Sequence, residues 1–268
     1  MDLRGTLLVC DMDGTLLNSE NRISDENLQA LTRYTQSGGK FTLATGRTEV
    51  SVKGFMERLP VNAPAILGNG TLLYDFQRGE AIWSLFLEKG ISRVAQDILD
   101  AFPETGVLVY KPGRITCLRK SQETEICRRN ELAYYNEQLL DEVREPWLKI
   151  LIADKPEKLE RIEKYLDSKE LPIRMVRSTS IFLEILPPGV SKGTALDELI
   201  KVIGCRKSDV YAVGDNLNDI ELLNRAGVGI AVKNAHEELK KSADICVCSN
   251  DEHMVVEVVK MIEQNQSI

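Results

Sequence analysis

The sequence predicts an α/β protein with a parallel sheet, into which a separate α+β segment is inserted. Two observations indicate this class. Both ends of the 268-residue chain alternate short apolar runs with helical patterns, whereas the middle contains pairs of strand-like runs between helices. Alternating strands and helices favour a parallel sheet with right-handed crossovers, and runs of adjacent strands favour an antiparallel one. We therefore expect two domains, one of them interrupted by the other.

The first eighty residues show three strand-like runs, at 6–10, 41–44 and 65–67. Ser24 is expected to cap a helix that follows the first strand, and Gly38-Gly39 is expected to end it. A second helix is expected to follow the second strand and to run to about Arg58. Three such units in a row predict three parallel strands.

The last eighty residues repeat this alternation. Helices are expected at 191–202 and 220–225, and strands at 210–213, 228–232 and 245–247. Because both ends share one pattern, we expect residues 1–83 and 187–268 to form a single domain with a Rossmann-like parallel sheet.

The middle of the chain, residues 84–186, predicts an inserted α+β domain. Strands are expected at 107–111, 115–119, 149–153, 173–176 and 182–186, with helices at 91–101 and 157–166. Pro187-Pro188-Gly189 marks the exit from this segment, and its entry is expected near 81–86.

Composition limits the classes of partner. The chain is 43% hydrophobic and 28% charged, which is close to the globular average, and its formal net charge is -7. A negative chain has no general attraction to nucleic acid or anionic lipid, so we expect neither as a partner. The apolar run at 7–10 is interrupted by Asp11, and no run approaches the ~20 residues of a bilayer span. We therefore expect a cytoplasmic protein.

Carboxylates follow two of the predicted strands, with Asp11 after the first and Asp215 and Asp219 after the strand at 210–213. Open α/β sheets bind ligands at the carboxyl ends of their strands. Clustered carboxylates repel one another and need a compensating positive charge. A set of oxygen ligands favours a hard ion such as Mg²⁺, whose coordination a substrate phosphate often completes. The sequence therefore predicts a magnesium site that binds a phosphate.

The same edge carries groups suited to phosphoryl transfer. Asp11 could attack phosphorus and form an aspartyl phosphate. Asp13 could protonate the leaving oxygen and then take a proton from the attacking water. Thr45 and Lys192 could screen the charge of the phosphate. The chain has neither a cysteine with an arginine six positions later nor a GxxxxGK[ST] sequence, so rival phosphate-handling motifs are absent.

Five motifs in a fixed order resemble the haloacid dehalogenase-like superfamily, most closely its Cof-like hydrolases with an inserted α/β cap. The motifs are DMDGTLL at 11–17, ATGR at 44–47, GNGTLLYD at 68–75, GVSKGTAL at 189–196 and GDNLND at 214–219. They span nearly the whole chain. One departure occurs at 252–255, where this chain reads EHMV and many relatives have an acidic residue, glycine and valine.

The resemblance implies roles for the four acids. Asp11 corresponds to the nucleophile and a magnesium ligand, and Asp13 to the acid/base that also gives its backbone carbonyl to the metal. Asp215 corresponds to a further metal ligand. Asp219 corresponds to a carboxylate of the metal site that supports either the metal shell or Lys192.

The resemblance also implies where the substrate binds. Residues that correspond to phosphate-binding positions are Thr45, Gly46, Lys192 and Asn218. Arg47 either binds the substrate or caps the sheet. The implied substrate is a small phosphorylated metabolite, such as a sugar phosphate or a phosphorylated cofactor, and the implied role of the inserted domain is to close over the site and select it.

Three functions remain open from the sequence. The first is a Mg²⁺-dependent phosphatase that acts through a phosphoaspartate. The second is a phosphomutase, which would return the phosphoryl group to a sugar. The third is a non-catalytic regulator that binds a phosphorylated metabolite.

Overall fold

The computed structural model describes residues 2–131 and 135–266. The strands are β1 (Leu7–Cys10), β2 (Lys40–Leu43), β3 (Ala65–Leu67), β4 (Leu72–Asp75), β5 (Glu80–Ser84), β6 (Gly106–Lys111), β7 (Arg114–Arg119), β8 (Tyr135–Glu137), β9 (Lys149–Ala153), β10 (Arg174–Thr179), β11 (Phe182–Leu186), β12 (Val210–Gly214), β13 (Val228–Val232) and β14 (Ile245–Val247). The helices are α1 (Asp25–Gln36), α2 (Glu49–Met56), α3 (Ser92–Ala101), α4 (Gln122–Glu131), α5 (Pro156–Asp167), α6 (Lys192–Ile203), α7 (Ile220–Arg225), α8 (Glu237–Ser242) and α9 (Met254–Asn265).

The chain divides into two compact units. Unit 1 consists of the residues up to Gly46, the segment Lys53–Ile82, and the residues from Ser191 onward. Unit 2 consists of Arg47–Val52 and Trp83–Val190. The short segment Arg47–Val52 therefore groups with unit 2 although it precedes the insertion in sequence. The roles of the two units as catalytic domain and substrate-selecting domain stay a prediction.

Unit 1 contains a five-stranded parallel sheet in the order β14-β13-β12-β1-β2, which confirms the predicted α/β class. The central strands are short, continuously apolar and buried, as expected where helices cover a parallel sheet. Strand β1 lies between β2 and β12, with Cys10 paired to both Leu43 and Val213. The direction of strand order reverses at β1, and such switch points are where open α/β sheets form a ligand crevice.

In unit 1, helix α1 packs against α9, and α6 packs against α7. Helix α1 begins at the predicted cap Ser24, whose hydroxyl accepts a hydrogen bond from the Asn27 backbone N–H. Helix α6 is capped in the same way by Ser191, which accepts from the Thr194 N–H. Each such cap typically stabilises a fold by about 1 kcal/mol.

The strand predicted at 65–67 forms and runs parallel to β2 as predicted, but it does not join the five-stranded sheet. Strand β3 pairs antiparallel with β4 and belongs to a separate sheet in the order β3-β4-β5. Its link to the parallel sheet is an isolated bridge between Ala44 and Ile66. The chain reverses within the three-residue turn at Gly68–Gly70, which is far too short for the crossover that parallel neighbours require.

Unit 2 contains a six-stranded sheet in the order β10-β11-β9-β6-β7-β8, in which the neighbours pair antiparallel except β7 and β8. One face forms an apolar core with α3 and α5, in which Val109, Ile150 and Trp147 are fully buried. The other face carries a second apolar cluster and a buried ion pair, with Lys149 Nζ 2.9 Å from Glu184 Oε2. The expectation of an α+β insertion is confirmed. In the described part of the chain, no helix combines the length and the apolarity that crossing a bilayer demands.

Candidate functional site

The carboxyl end of β1 leads directly into a tight turn that holds Asp11. The Asp11 backbone N–H donates to the Val213 carbonyl oxygen at 2.9 Å, which extends the pairing of β1 with β12 by one residue. Gly14 adopts a left-handed φ of 78° in this turn. A Cβ atom at Gly14 would lie 2.5 Å from Asp215 Oδ2, so both the backbone conformation and the close approach require glycine.

Three carboxylates from two neighbouring loops meet at this edge of the sheet. Asp11, Asp215 and Asp219 each offer an oxygen, and these oxygens lie within 4.8 Å of one another. The Lys192 ammonium contacts two of them, with Nζ 2.7 Å from Asp11 Oδ1 and 2.7 Å from Asp219 Oδ1. Thr15 donates its hydroxyl to Asp215 Oδ1 at 2.9 Å. The structure thus brings together acids from opposite ends of the chain, as the sequence predicts.

Protein groups donate hydrogen bonds to both oxygens of Asp219. Oδ1 accepts from Lys192, and Oδ2 accepts from the backbone N–H groups of Asp215 and Asn216 at 3.1 Å each. The Asp219 side chain is fully buried. It therefore fixes both the lysine and the turn that carries Asp215.

Burial is the main influence on the protonation of these groups. It raises the pKa of Asp11 well above its usual value, an effect that Lys192 opposes and that the charges of Asp219 and Asp215 reinforce. Burial and the charge of Asp219 also raise the pKa of Asp215. Burial lowers the pKa of Lys192, but its contacts with Asp11 and Asp219 outweigh this and raise it overall.

The arrangement fits a hard divalent cation. The cluster holds three carboxylates and the Lys192 ammonium group, so it carries an excess of negative charge when its acids are ionised. A further positive charge would favour the ionised acids and so reverse the effect of burial. The donors are all oxygen atoms, which suits Mg²⁺ or a similar ion rather than a metal that prefers nitrogen or sulfur.

Of the predicted phosphate-binding residues, Lys192 contacts this cluster directly, whereas Thr45, Gly46 and Asn218 follow the strands β2 and β12. Thr45 and Gly46 follow β2, which is the neighbour of β1, and Thr45 is buried. Lys192 is the first residue of α6. Asn218 donates its side-chain amide to Asn69 Oδ1 at 3.0 Å, and the Asn69 backbone N–H donates to the Thr45 carbonyl oxygen at 3.0 Å.

Asn69 is a residue of this site that the sequence reasoning missed. It is buried and adopts a left-handed φ of 56°, and it connects the loops of Thr45 and Asn218. The following residue, Gly70, lies so close to α6 that a Cβ atom would meet the Ser191 carbonyl oxygen at 2.1 Å. The Asn-Gly pair predicts a turn from the sequence, but the sequence does not show that this turn packs against other loops.

The placement of Asp13 and Arg47 differs from that of the other charged residues of the predicted site. The side chain of Asp13 is exposed in the turn after Asp11 and is not among the clustered carboxylates of the described residues. Arg47 is buried, and it groups with unit 2 rather than with the sheet that carries Asp11. The roles of both residues stay predictions.

Comparisons with known proteins identify the family of this chain and several similar phosphatases. The model of the haloacid dehalogenase-like hydrolase family matches residues 8–259. The phosphatase YwpJ of Bacillus subtilis (strain 168) is 31% identical, and the match covers 95% of this chain and 98% of that protein. The HMP-PP phosphatase of Serratia proteamaculans (strain 568) is also 31% identical, over 87% of this chain and 86% of that protein.

A solved structure of similar fold is that of a haloacid dehalogenase-like hydrolase from Bacteroides thetaiotaomicron. It is 28% identical in sequence, with a TM-score of 0.89, and the match covers 97% of this chain and 100% of that one. The similarity therefore extends over both units and not only over the parallel sheet.

Proposed function

The chain belongs to the haloacid dehalogenase-like hydrolases, whose family pattern spans residues 8–259, and on this premise we propose that it is a phosphatase acting through a phosphoaspartate. The observation that carries the proposal is the buried Asp11 carboxylate, held 2.7 Å from Lys192 Nζ beside Asp215 and Asp219. A carboxylate in such a setting can serve as a nucleophile toward phosphorus.

The first half of the proposed reaction transfers the phosphoryl group to Asp11. A carboxylate oxygen of Asp11 forms a bond to phosphorus, and the bond between phosphorus and the ester oxygen breaks. Asp13 donates a proton to that leaving oxygen, so that an alcohol is released. The exposed position of Asp13, two residues after Asp11, leaves its carboxyl accessible for this exchange.

The second half restores Asp11. Asp13, now ionised, accepts a proton from a water molecule whose oxygen bonds to phosphorus. The bond between phosphorus and the Asp11 oxygen breaks, and its electron pair returns to the carboxylate. Inorganic phosphate leaves, and both acids regain their starting protonation.

The charge of the transferred group needs screening in both halves. Lys192, which already contacts Asp11, supplies a fixed positive charge next to the reacting oxygen. We propose that Thr45, Gly46 and Asn218 donate hydrogen bonds to the phosphate oxygens. Arg47 is proposed to bind the substrate as well.

The proposed metal is Mg²⁺, held by the carboxylates of Asp11 and Asp215 and the backbone carbonyl of Asp13. When bound, the ion supplies Lewis-acid polarisation and charge neutralisation at the phosphoryl group. Asp219 is proposed to support the metal site through Lys192 and the turn at 214–216, because protein groups already donate to both of its oxygens.

The proposed substrate is a small phosphorylated metabolite, such as a sugar phosphate or a phosphorylated cofactor. The name of the Serratia relative, an HMP-PP phosphatase, supports this class of substrate. We also propose that residues 84–186 select among such metabolites and that the protein acts in the cytoplasm. Hydrolysis of a panel of phosphorylated metabolites would identify the preferred substrate.

The nucleophile is tested with Asp11→Asn and p-nitrophenyl phosphate. We expect the variant to lose at least about a thousandfold in kcat, as removal of a nucleophile generally does, while circular dichroism shows an intact fold. Asp167→Asn, an exposed change at the end of α5, serves as the control and should keep full activity. An Asp11→Asn variant as active as the parent would exclude Asp11 as the nucleophile.

Two further measurements separate the alternatives. Chelation with EDTA should abolish turnover and added Mg²⁺ should restore it, whereas undiminished turnover without metal would exclude the metal-dependent reaction. Release of inorganic phosphate from glucose 6-phosphate without an isomeric sugar phosphate distinguishes a phosphatase from a phosphomutase. Binding of phosphorylated metabolites without any release of phosphate would instead support the non-catalytic regulator.

A further inference from the structure

Asn234, in the loop that follows β13, connects two other segments of unit 1. Its Nδ2 donates to the Gly14 carbonyl oxygen at 2.8 Å, and its Oδ1 accepts from the backbone N–H of Asn250 at 3.1 Å. A carbonyl oxygen only accepts hydrogen bonds and a backbone N–H only donates them, so these two partners fix the orientation of the amide group. All three residues lie in the same unit as Asp11 and Asp215.

The contact with Gly14 holds the most adaptable residue of the turn that follows Asp11. Gly14 has φ 78° and ψ -2°, and glycine reaches many other backbone conformations at little cost. It directly follows Asp13, whose backbone carbonyl is a proposed metal ligand. A hydrogen bond to the Gly14 carbonyl therefore restricts the backbone next to that ligand.

The far end of the same turn is held in a similar way. Asn250 Nδ2 donates to the Leu17 carbonyl oxygen at 2.9 Å. The carbonyls of Gly14 and Leu17 are thus held by two asparagines that are hydrogen-bonded to each other. The turn has internal hydrogen bonds as well, such as that from the Leu17 N–H to the Met12 carbonyl oxygen, but its position relative to other loops depends on these external contacts.

The loop at 233–236 also contacts the segment that carries Asp215. The His236 backbone N–H donates to the Asp215 carbonyl oxygen at 2.8 Å. Strands β1, β12 and β13 are neighbours in the parallel sheet, so the loops that follow them share one edge. The loop after β13 therefore holds both the turn that contains Asp13 and the start of the loop that contains Asp215.

We propose that Asn234 is a positioning residue of the magnesium site, which keeps the backbone carbonyl of Asp13 and the carboxylate of Asp215 at the spacing that the ion requires. This inference rests on the proposed function, of which the Mg²⁺ site is a part. Asn234 acts through Gly14 and is not itself a ligand. Residues that orient metal ligands typically change metal affinity by about 10- to 100-fold when they are replaced.

The test measures Mg²⁺ binding directly, by isothermal titration calorimetry on the full chain. Asn234→Ala removes both hydrogen bonds of the side chain, so we expect the dissociation constant for Mg²⁺ to rise about 10- to 100-fold. Asn234→Ser is too short to reach the Gly14 carbonyl and should give the same rise if the alanine variant does not fold. Asn224→Ala, an exposed change on α7, is the matched control and should bind Mg²⁺ like the wild type.

Activity gives a second measure that separates the metal from the substrate. In Asn234→Ala, the Mg²⁺ concentration for half-maximal hydrolysis of p-nitrophenyl phosphate should rise by the same factor as the dissociation constant. The KM for the ester at saturating Mg²⁺ should stay unaltered. If Asn234→Ala lowers the melting temperature of the metal-free protein but leaves the Mg²⁺ dissociation constant unchanged, its role is merely structural and the inference is overturned.

Asn250→Ala tests which hydrogen bond matters. It loses the contact with Leu17 but keeps the backbone N–H that donates to Asn234, so the Mg²⁺ dissociation constant should rise less than in Asn234→Ala. A larger rise would overturn the role of the Gly14 contact, and so would a wild-type protein that binds no Mg²⁺. A wild-type protein that binds Mg²⁺ but hydrolyses no phosphate ester would refute the proposed phosphatase, whereas weaker Mg²⁺ binding by Asn234→Ala would still support the positioning role.

Discussion

Lys192 is the single cation that the described acid cluster contains, and it is almost entirely buried. Removing one member of a buried ion pair leaves an uncompensated charge, which typically costs about 3–5 kcal/mol. We therefore expect Lys192→Met to lower the free energy of unfolding of the metal-free protein by about that amount and to abolish phosphatase activity. Urea denaturation followed by circular dichroism measures the first effect.

Lys201→Met provides the matched control, because Lys201 lies on the same helix with an exposed side chain. Its ion pair with Glu198 is a surface contact and contributes at most about 1 kcal/mol. Equal losses of stability in the two variants would show that the burial of Lys192 among carboxylates has no special energetic role.

Asn69 is expected to position Asn218 and the Thr45 loop rather than to react. Asn69→Gly keeps the left-handed backbone conformation but removes the acceptor for Asn218, so we expect kcat/KM for p-nitrophenyl phosphate to fall about tenfold, the effect of one lost hydrogen bond. A glycine variant with the activity of the parent enzyme would argue against this positioning role.

Some residues of the candidate site were predictable from the sequence, and others were not. Asp11, Asp215 and Lys192 were predictable because each follows a strand or begins a helix at the carboxyl edge of a parallel sheet. Asn69 was not, because its significance depends on its burial and on which residues it contacts. Those properties arise only when distant segments pack, and spacing along the chain does not encode them.

At the scale of elements, the turn between β3 and β4 is expected to tolerate no side chain at Gly70. A Cβ atom there would meet the Ser191 carbonyl oxygen at 2.1 Å, and the φ of 100° is unfavourable for any other residue. We expect Gly70→Ala to destabilise the protein by more than about 1 kcal/mol and to lower its melting temperature. Differential scanning calorimetry measures the change.

Gly54→Ala is the opposite case on a nearby element. Gly54 lies exposed inside α2, and an added Cβ would have no atom within 4 Å apart from its chain neighbours and the backbone of its own helix. Alanine has the higher helix propensity, so this variant should gain about 0.5–1 kcal/mol of stability. If Gly70→Ala did not lower the stability of the protein any more than Gly54→Ala, the turn could not lie as close to the start of α6 as the structure shows.

The elements themselves were predicted to different degrees. Strands β6, β7, β9 and β11 lie within a residue of their predicted positions because each contains a run of buried, mostly apolar residues. Helix α4 was missed because its sequence, QETEICRRNE, is mostly polar and shows little apolar periodicity. The antiparallel pairing of β3 with β4 was not predicted, because a three-residue apolar run carries no information about its pairing partner.

At the scale of the whole molecule, the proposed metal site belongs to unit 1 alone. Asp11, Asp215 and Lys192 all lie in that unit, and unit 2 has apolar cores of its own. A ligand stabilises only those states in which its site is intact. Local opening of unit 2 would leave the proposed site formed, whereas opening of unit 1 would destroy it.

Added Mg²⁺ should therefore slow amide hydrogen exchange unequally along the chain. At a concentration of 100 times its dissociation constant, the ion stabilises the folded site by about 2.7 kcal/mol, which corresponds to a protection gain of about a hundredfold where exchange requires opening of unit 1. Mass spectrometry of exchanged peptides should show this gain in β1 and β12 and a much smaller one in β6 and β9. Asp215→Asn should remove the difference, because it deletes one of the proposed ligands. Equal gains in both sheets would mean that the two units open only together, and that metal binding is coupled to the folding of the entire chain.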